Sequence, residues 1–227
     1  MDSLALILPA AGKSTRFGGP RNKILELLGE KCVVSHAMAP FLARADVSNI
    51  IIACGDPADL ASLLPPEPRL EFCLGGPTRA HSVLEALRRV PQQVQWVAVH
   101  DAARPLVSAG LIEQTFTAAR QYGAAVPALA VALTIKQAQG PLPAKVEKTI
   151  PRHALWAMQT PQIMRRTDLL EAFEKCPIPL DQVTDDVQLL ELIGKPVWLV
   201  PGEEKNLKVT TAIDMILARH WMSIKAE

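Results

Sequence analysis

Eight consecutive residues near the start, Pro9-Ala10-Ala11-Gly12-Lys13-Ser14-Thr15-Arg16, combine small side chains with positive charge, and Lys23 adds a cation seven residues after Arg16. Small residues directly after a strand let the backbone approach a ligand closely, and their N–H groups can cradle phosphate oxygens. Residues 9–23 together hold three glycines, two prolines, Lys13, Arg16, Arg21 and Lys23. So long and basic a loop inside a compact domain is usually functional rather than connective. The plain alternative is a sheet-edge turn with solvated charges. Composition and position together favour anion binding.

A second group is His100-Asp101-Ala102-Ala103-Arg104-Pro105, which closes the apolar run at 95–99. An Asp at the carboxyl end of a strand, beside a phosphate loop, can hold Mg²⁺ or orient a cation. Arg104, three residues on, could grip a second anionic group. By itself the hexapeptide reads equally well as a helix-capping Asp with a surface Arg; beside the first loop it reads as a site. His100 is the only candidate general base here, and a structural role suits it better.

Two familiar phosphate motifs fail on their glycines. Gly12-Lys13-Ser14 resembles the tail of a Walker loop, but Ile7 stands where the first glycine belongs. Without it the chain cannot wrap phosphates in that way. The G-x-G-x-x-G dinucleotide pattern is also missing, because Pro9 and Ala11 occupy its glycine places.

The elements that must carry these residues follow from apolar patterning. Leu4-Ala5-Leu6-Ile7-Leu8 reads as a buried strand, followed by a helix over 33–44, a strand over 49–54, a helix over 57–64 and a strand over 69–74. A helix over 79–90, a strand over 95–99, a helix over 108–122 and a strand over 124–129 continue the alternation. Such alternation predicts an α/β fold, a doubly wound and mostly parallel sheet with helices on both faces. Ligands of these sheets bind at the carboxyl ends of the strands, where both groups above fall. Residues 130–158 break the rhythm. Strands over 131–136 and 145–150, joined through Gly140-Pro141, predict a protruding β-hairpin arm. An isolated hairpin is marginal in water, so the arm is expected to pack on a second copy of the chain. Helices near 166–175 and 185–194, a strand over 196–200, a short strand over 207–209 and a closing helix complete the chain. Thr211 with Asp214 resembles a capping box at the start of that helix. The expected organisation is one domain, 1–227, with 130–158 as a dimerisation arm.

Composition narrows the partners. The 227 residues are 49% hydrophobic but only 4% aromatic, which suits a core of Leu, Val, Ile and Ala. Lys and Arg number 24 against 23 Asp and Glu, so no global basic field points to nucleic acid or to a membrane surface. Cys32, Cys54, Cys73 and Cys176 are widely spaced, unlike a zinc site or a disulfide framework. The opening Met1-Asp2-Ser3 lacks the basic start of a signal peptide. The longest nearly apolar run, 123–133, is well short of the ~20 residues that span a bilayer. A cytoplasmic protein is expected.

Further motifs extend the pattern: Gly75-Gly76 with Arg79 and Ser82, Thr134 with Lys136, Arg152, Thr160-Pro161-Gln162, Thr184-Asp185-Asp186 and Asn206-Leu207-Lys208-Val209-Thr210. With Pro9 to Gly12, Arg16, Lys23 and the hexapeptide at 100–105, they resemble, in order and along nearly the whole chain, the 2-C-methyl-D-erythritol 4-phosphate cytidylyltransferases. The resemblance implies a dimeric nucleotidyltransferase of the non-P-loop α/β kind that uses CTP, a small polyol phosphate and a Mg²⁺ ion held mainly by the CTP phosphates. It implies that Pro9, Ala10, Ala11, Gly12, Gly76 and Ser82 surround CTP. Arg16 and Lys23 would stabilise charge on the α-phosphate and leaving pyrophosphate. Lys208, and Arg152 from the partner's arm, would position the acceptor. Asp101, Arg104, Thr134 and Thr184 would line the pocket near substrate or metal. The sequence departs from the family pattern at Pro77, where an acidic residue is usual, and at His81 and Leu133, where Asp is common. Spacing from Arg16 assigns the catalytic lysine to Lys23, with Arg21 as the alternative. Ribitol 5-phosphate is the competing acceptor, and a catalytically silent nucleotide-binding protein is the competing class.

Overall fold

The computed structural model describes residues 2–12, 14, 17, 18 and 22–224. The first strand, β1 (Leu4–Pro9), leads into the loop singled out above. A short 3-10 turn (Lys23–Leu25) and a two-residue ribbon, β2 (Leu27–Leu28) with β3 (Lys31–Cys32), follow. The alternation then runs α1 (Val33–Leu42), β4 (Val47–Cys54), α2 (Pro57–Leu63), β5 (Leu70–Leu74), α3 (Arg79–Leu87), β6 (Trp96–Val99), α4 (Ala109–Tyr122) and β7 (Ala124–Ala130). After it come β8 (Ile135–Ala138), β9 (Val146–Ile150), β10 (Trp156–Met158), β11 (Gln162–Arg165), α5 (Arg166–Glu174), α6 (Asp186–Leu192), β12 (Trp198–Pro201) and α7 (Ala212–Ser223).

Among the described residues the main sheet has eight strands in the order β10-β7-β11-β6-β1-β4-β5, with β12 also paired to β7. Strand β1 lies parallel to both neighbours, with Leu6 opposite Ile50 of β4 and Ala98 of β6. Its side chains alternate between two cores, as a strand covered on both faces requires. Leu4, Leu6 and Leu8 pack with Phe41 of α1 and Phe116 of α4. Ala5 and Ile7 pack with Val83 and Leu87 of α3, Leu169 of α5 and Leu190 of α6. The expected doubly wound α/β sheet is the one found.

Three details of the main sheet and the arm differ from expectation. Strands β10 and β11 were not foreseen, and both run antiparallel to β7, with β11 inserted between β6 and β7. They are three and four residues long and flank Gln159-Thr160-Pro161, too short for a periodic signal. No strand forms over 207–209. There the Val209 N–H makes one backbone bond, to Ala103 O at 2.8 Å, in place of a ladder. The arm's first strand begins at Ile135, because the Val131 N–H donates to Leu155 O and keeps the preceding residues out of the hairpin.

The arm itself is a separate two-stranded sheet, with Ile135 opposite Ile150 and Lys136 opposite Thr149. Helix starts are capped as their sequences suggest. Thr78 caps α3, Ser108 caps α4, and Thr211 with Asp214 forms a full capping box on α7. Among the described residues no helix is long and apolar enough to cross a membrane.

Candidate active site

A cavity of about 410 Å³ opens at the carboxyl ends of β1, β5 and β6. Pro9, Ala10, Ala11 and Gly12 form one wall, and Gly76 and Ser82 face them. The two walls approach so closely that a Cβ on Gly75 would sit 2.5 Å from the Ala11 Cβ. The Gly76 N–H donates to Ser82 Oγ at 3.1 Å, and that hydroxyl donates to Thr78 O at 2.9 Å. Ser82 therefore braces the glycine turn while lining the cavity.

The cationic loop is tied down by a residue to which no role was assigned. Asn22 Oδ1 accepts from the Ser14 hydroxyl at 2.7 Å and caps the short 3-10 turn through the Ile24 N–H, while its Nδ2 donates to Gly12 O. The Lys23 N–H donates to Ser14 Oγ, which sets Lys23 on the cavity rim. An Asn directly before a helical turn is itself a capping signal, the clue that was available in sequence. Arg16, and Arg21 as the alternative to Lys23, lie outside the described residues.

The floor is a cluster of charge. Asp101 lies 3.1 Å from Arg79 Nε, 2.9 Å from Lys208 Nζ and 3.6 Å from Arg104 Nε. Burial opposes its ionisation, but Arg79, Lys208 and Arg104 together outweigh that and hold the carboxyl far below its ordinary range. Arg79 reaches on to Asp186, with Nη1 2.8 Å from Oδ2. Burial disfavours the charge on Arg79, yet Asp186 and Asp101 together raise its pKa. Arg104 is engaged more than the sequence suggested. Its Nη1 donates to Asn206 O at 2.6 Å and its Nη2 to Met158 O at 3.4 Å, so it fastens the loop bearing Lys208 to the sheet. Asn206, fully buried, completes that joint through Thr160 O at 2.8 Å.

His100 lies beneath this floor. Its Nε2 is 3.1 Å from Arg104 O, and a carbonyl can only accept, so Nε2 carries the proton. Its Nδ1 then accepts from the Thr160 hydroxyl at 3.0 Å, while Thr160 Oγ1 itself accepts from the Asp101 N–H. Burial lowers the His100 pKa to about 4 and keeps the ring neutral. Both ring nitrogens are committed, which leaves no general base at this position.

A second cavity of about 320 Å³ shares Arg79, Asp101 and Lys208 with the first, and adds Arg104, Thr184 and Asp185. These three shared side chains form the wall between two compartments. The Thr184 N–H and hydroxyl both meet Gln188 Oε1, at 2.7 and 3.1 Å. Thr134 and Arg152 line neither compartment. Both are exposed on or beside the arm, and Arg152 Nη1 donates to Ala132 O. Among the described residues no group of three or more His, Cys, Asp or Glu is placed to hold a metal, and Asp101 is the one carboxylate lining the main cavity. That donor set fits a magnesium ion that brings most of its ligands on a triphosphate, not a dedicated protein cage.

The chain is similar to known proteins along nearly its whole length. A family model described as 2-C-methyl-D-erythritol 4-phosphate cytidylyltransferase matches residues 4–223. The protein of that name from Gloeobacter violaceus is 40% identical over 219 residues, covering 94% of this chain and 93% of its own. The one from Bacillus thuringiensis is 35% identical over 225 residues, with 97% and 98% covered. Among solved structures, the enzyme from Thermus thermophilus superposes with a TM-score of 0.79 at 31% identity, covering 98% of this chain and 100% of that one. That from Francisella tularensis gives 0.83 at 30% identity, with 96% and 99% covered. The chain belongs to the 2-C-methyl-D-erythritol 4-phosphate cytidylyltransferase family.

Proposed function

We propose that this enzyme transfers a cytidylyl group from CTP to 2-C-methyl-D-erythritol 4-phosphate, forming 4-diphosphocytidyl-2-C-methyl-D-erythritol and pyrophosphate, a step of isoprenoid precursor synthesis. The observation that carries the reading is the pair of cavities separated by Arg79, Asp101 and Lys208. Such a wall suits two anions that must meet despite their repulsion.

The reaction asks little acid–base chemistry of the protein. The attacking oxygen belongs to a phosphate monoester, already largely a dianion at pH 7 because its second pKa is about 6. It bonds to the α-phosphorus as the bond to pyrophosphate breaks, and no proton has to be removed. A neutral, fully committed His100 is consistent with that economy. What remains is alignment and neutralisation of charge at an in-line transition state. The small residues Pro9 to Gly12, Gly76 and Ser82 hold the nucleotide, and Arg16 and Lys23 neutralise the α-phosphate and departing pyrophosphate. Lys208 holds the acceptor phosphate from the shared wall, with Arg104 and Thr184 on the acceptor side. A magnesium ion carried by the triphosphate would supply further charge neutralisation, and Asp101, the carboxylate among the described residues that lines the main cavity, would be the side chain to hold it.

The arm supports a homodimer in which Arg152 and Thr134 complete the neighbouring chain's site. Leu133, Leu142, Val146 and Trp156 are exposed on or near it, an apolar surface that a second copy would cover. All four cysteines are free, which suits the reducing cytoplasm. The test is pyrophosphate release with Mg²⁺ and CTP, offering methylerythritol 4-phosphate and ribitol 5-phosphate in parallel. Release with the first alone is expected. Release with ribitol phosphate alone would keep the chemistry and change the substrate, and silence with both would overturn the reading.

A further inference from the structure

Asp186 is a buried carboxyl group that the reaction above leaves without a role. It begins α6, is 1% exposed, and among the described residues neither carboxylate oxygen meets a donor at hydrogen-bonding angles. Among the described residues its one close counter-charge is Arg79, at 2.8 Å. Burying a carboxylate in this way is expensive unless a cation is held against it. Such a group has its use in what it does to the partner.

The setting is built to keep Asp186 where it is. Gln162, from β11, accepts the N–H of Asp186 at 2.9 Å and of Val187 at 3.1 Å, and its amide donates to Asp185 Oδ2 at 3.0 Å. Asp185 caps α6 through the Gln188 N–H. The start of α6 is thus pinned to the sheet by a side chain that is itself buried. Arg79, at the start of α3, is then gripped from two independent elements, by Asp186 of α6 through Nη1 and by Asp101 at the end of β6 through Nε. A long arginine side chain gives up much rotamer entropy when fixed, so a guanidinium with one contact would wander from the wall. Two carboxylates at right positions prevent that before any substrate arrives.

We propose that Asp186 is a positioning residue for the transfer reaction, holding the Arg79 guanidinium on the wall between the two cavities, where it meets the anions of both substrates. The proposal rests on the cytidylyltransferase reading. Asp186 touches neither substrate; it acts through Arg79, which lines both compartments.

The test is a double-mutant cycle of Arg79→Gln, Asp186→Asn and the pair, reading kcat/KM for the polyol phosphate per folded chain, with thermal unfolding recorded alongside. Arg79→Gln should lower kcat/KM about 100-fold, the scale for losing one positioned charge donor. Asp186→Asn should lower it about 10-fold, the scale for losing an orienting partner. The pair should match Arg79→Gln alone, because Asp186 then has nothing left to position. A residue that merely stabilised α6 would change the unfolding temperature and leave kcat/KM per folded chain alone. The proposal is overturned by an Asp186→Asn chain as active as the unmodified one, or by a pair about 10-fold worse than Arg79→Gln. Should Asp186→Asn fail to fold, the pair carries neither buried charge, and its comparison with Arg79→Gln decides by itself. An unmodified chain that releases no pyrophosphate would instead overturn the functional reading.

Discussion

The floor of the main sheet and the hairpin arm both carry charge, and they treat it in opposite ways. On the floor, Asp101 and Asp186 lie within 2.8–3.6 Å of Arg79, Lys208 or Arg104, screened from water by the strands and helices around them. On the arm, Lys136 reaches Thr149 at 2.7 Å and Arg152 a nearby carbonyl, while Leu133 and Leu142 stand 75% and 87% exposed. Charges in a low-dielectric floor act strongly on one another, whereas exposed ones are screened and contribute little. The floor is thus organised within one chain, and the arm has the character of a part awaiting a surface. A two-stranded ribbon without such a surface is marginal.

Mutation should separate the two regions by size of effect. Lys208→Ala, on the floor, is expected to reduce kcat/KM by about 10²–10³, the cost of one charge-stabilising donor. Steady-state pyrophosphate release measures it, and a change of only a few-fold would remove Lys208 from the transition state. Arg152→Ala, on the arm, should also be strongly impaired, but mixing it with Lys23→Ala chains should restore about a quarter of the wild-type activity, since half the chains pair unlike and one site of each such dimer is intact. Mixtures no better than their parents would mean that the arm serves no neighbouring site.

Acid stability probes the floor. The His100 pKa falls from its ordinary 6.5 to about 4 in the folded chain, so between these values the unfolded chain binds a proton that the folded one refuses. Stability is therefore lost as pH falls from about 6.5 to about 4, by on the order of 3 kcal/mol, and this contribution is flat below. Asp101 acts in the adjoining window, because its depressed pKa stabilises the fold above the ordinary 3.8 and that stability is lost as pH falls further. His100→Gln should flatten the upper part of the profile in urea unfolding at stepped pH, even if the variant is weaker at pH 7. An unchanged slope would show that His100 is not the titrating group. The smallest effect belongs to the arm's tip, where Leu142→Ser should leave the unfolding free energy within about 0.5 kcal/mol. A larger loss would place Leu142 beneath another surface in solution.

Legibility divides along similar lines. The small-residue loop after β1 and the hexapeptide at the end of β6 were readable because each is contiguous, follows an apolar run and lands at a strand's carboxyl end. The alternation of strands and helices was readable for the same reason. Strands β10 and β11 were missed because a three-residue and a four-residue strand leave no periodicity. Residues 207–209 were read as a strand from their composition, although a backbone bond from the Val209 N–H to Ala103 O, in the loop after β6, stands in place of a ladder. Arg79 and Asp186 were visible as motif members but had no assigned part. Their partnership is a distance between α3 and α6, which no local pattern encodes.

Composition, apolar periodicity and the spacing of a few small and basic residues by themselves determined an α/β sheet with small and basic residues gathered at one edge, since these depend on neighbours along the chain. The tertiary structure alone decided that Arg79, Asp101 and Lys208 stand between two cavities, that His100 is neutral with both nitrogens engaged, and that a buried Asp186 faces Arg79. Each of these depends on burial and on contacts between remote segments. Such quantities come into being only when the helices close over the sheet and exclude water.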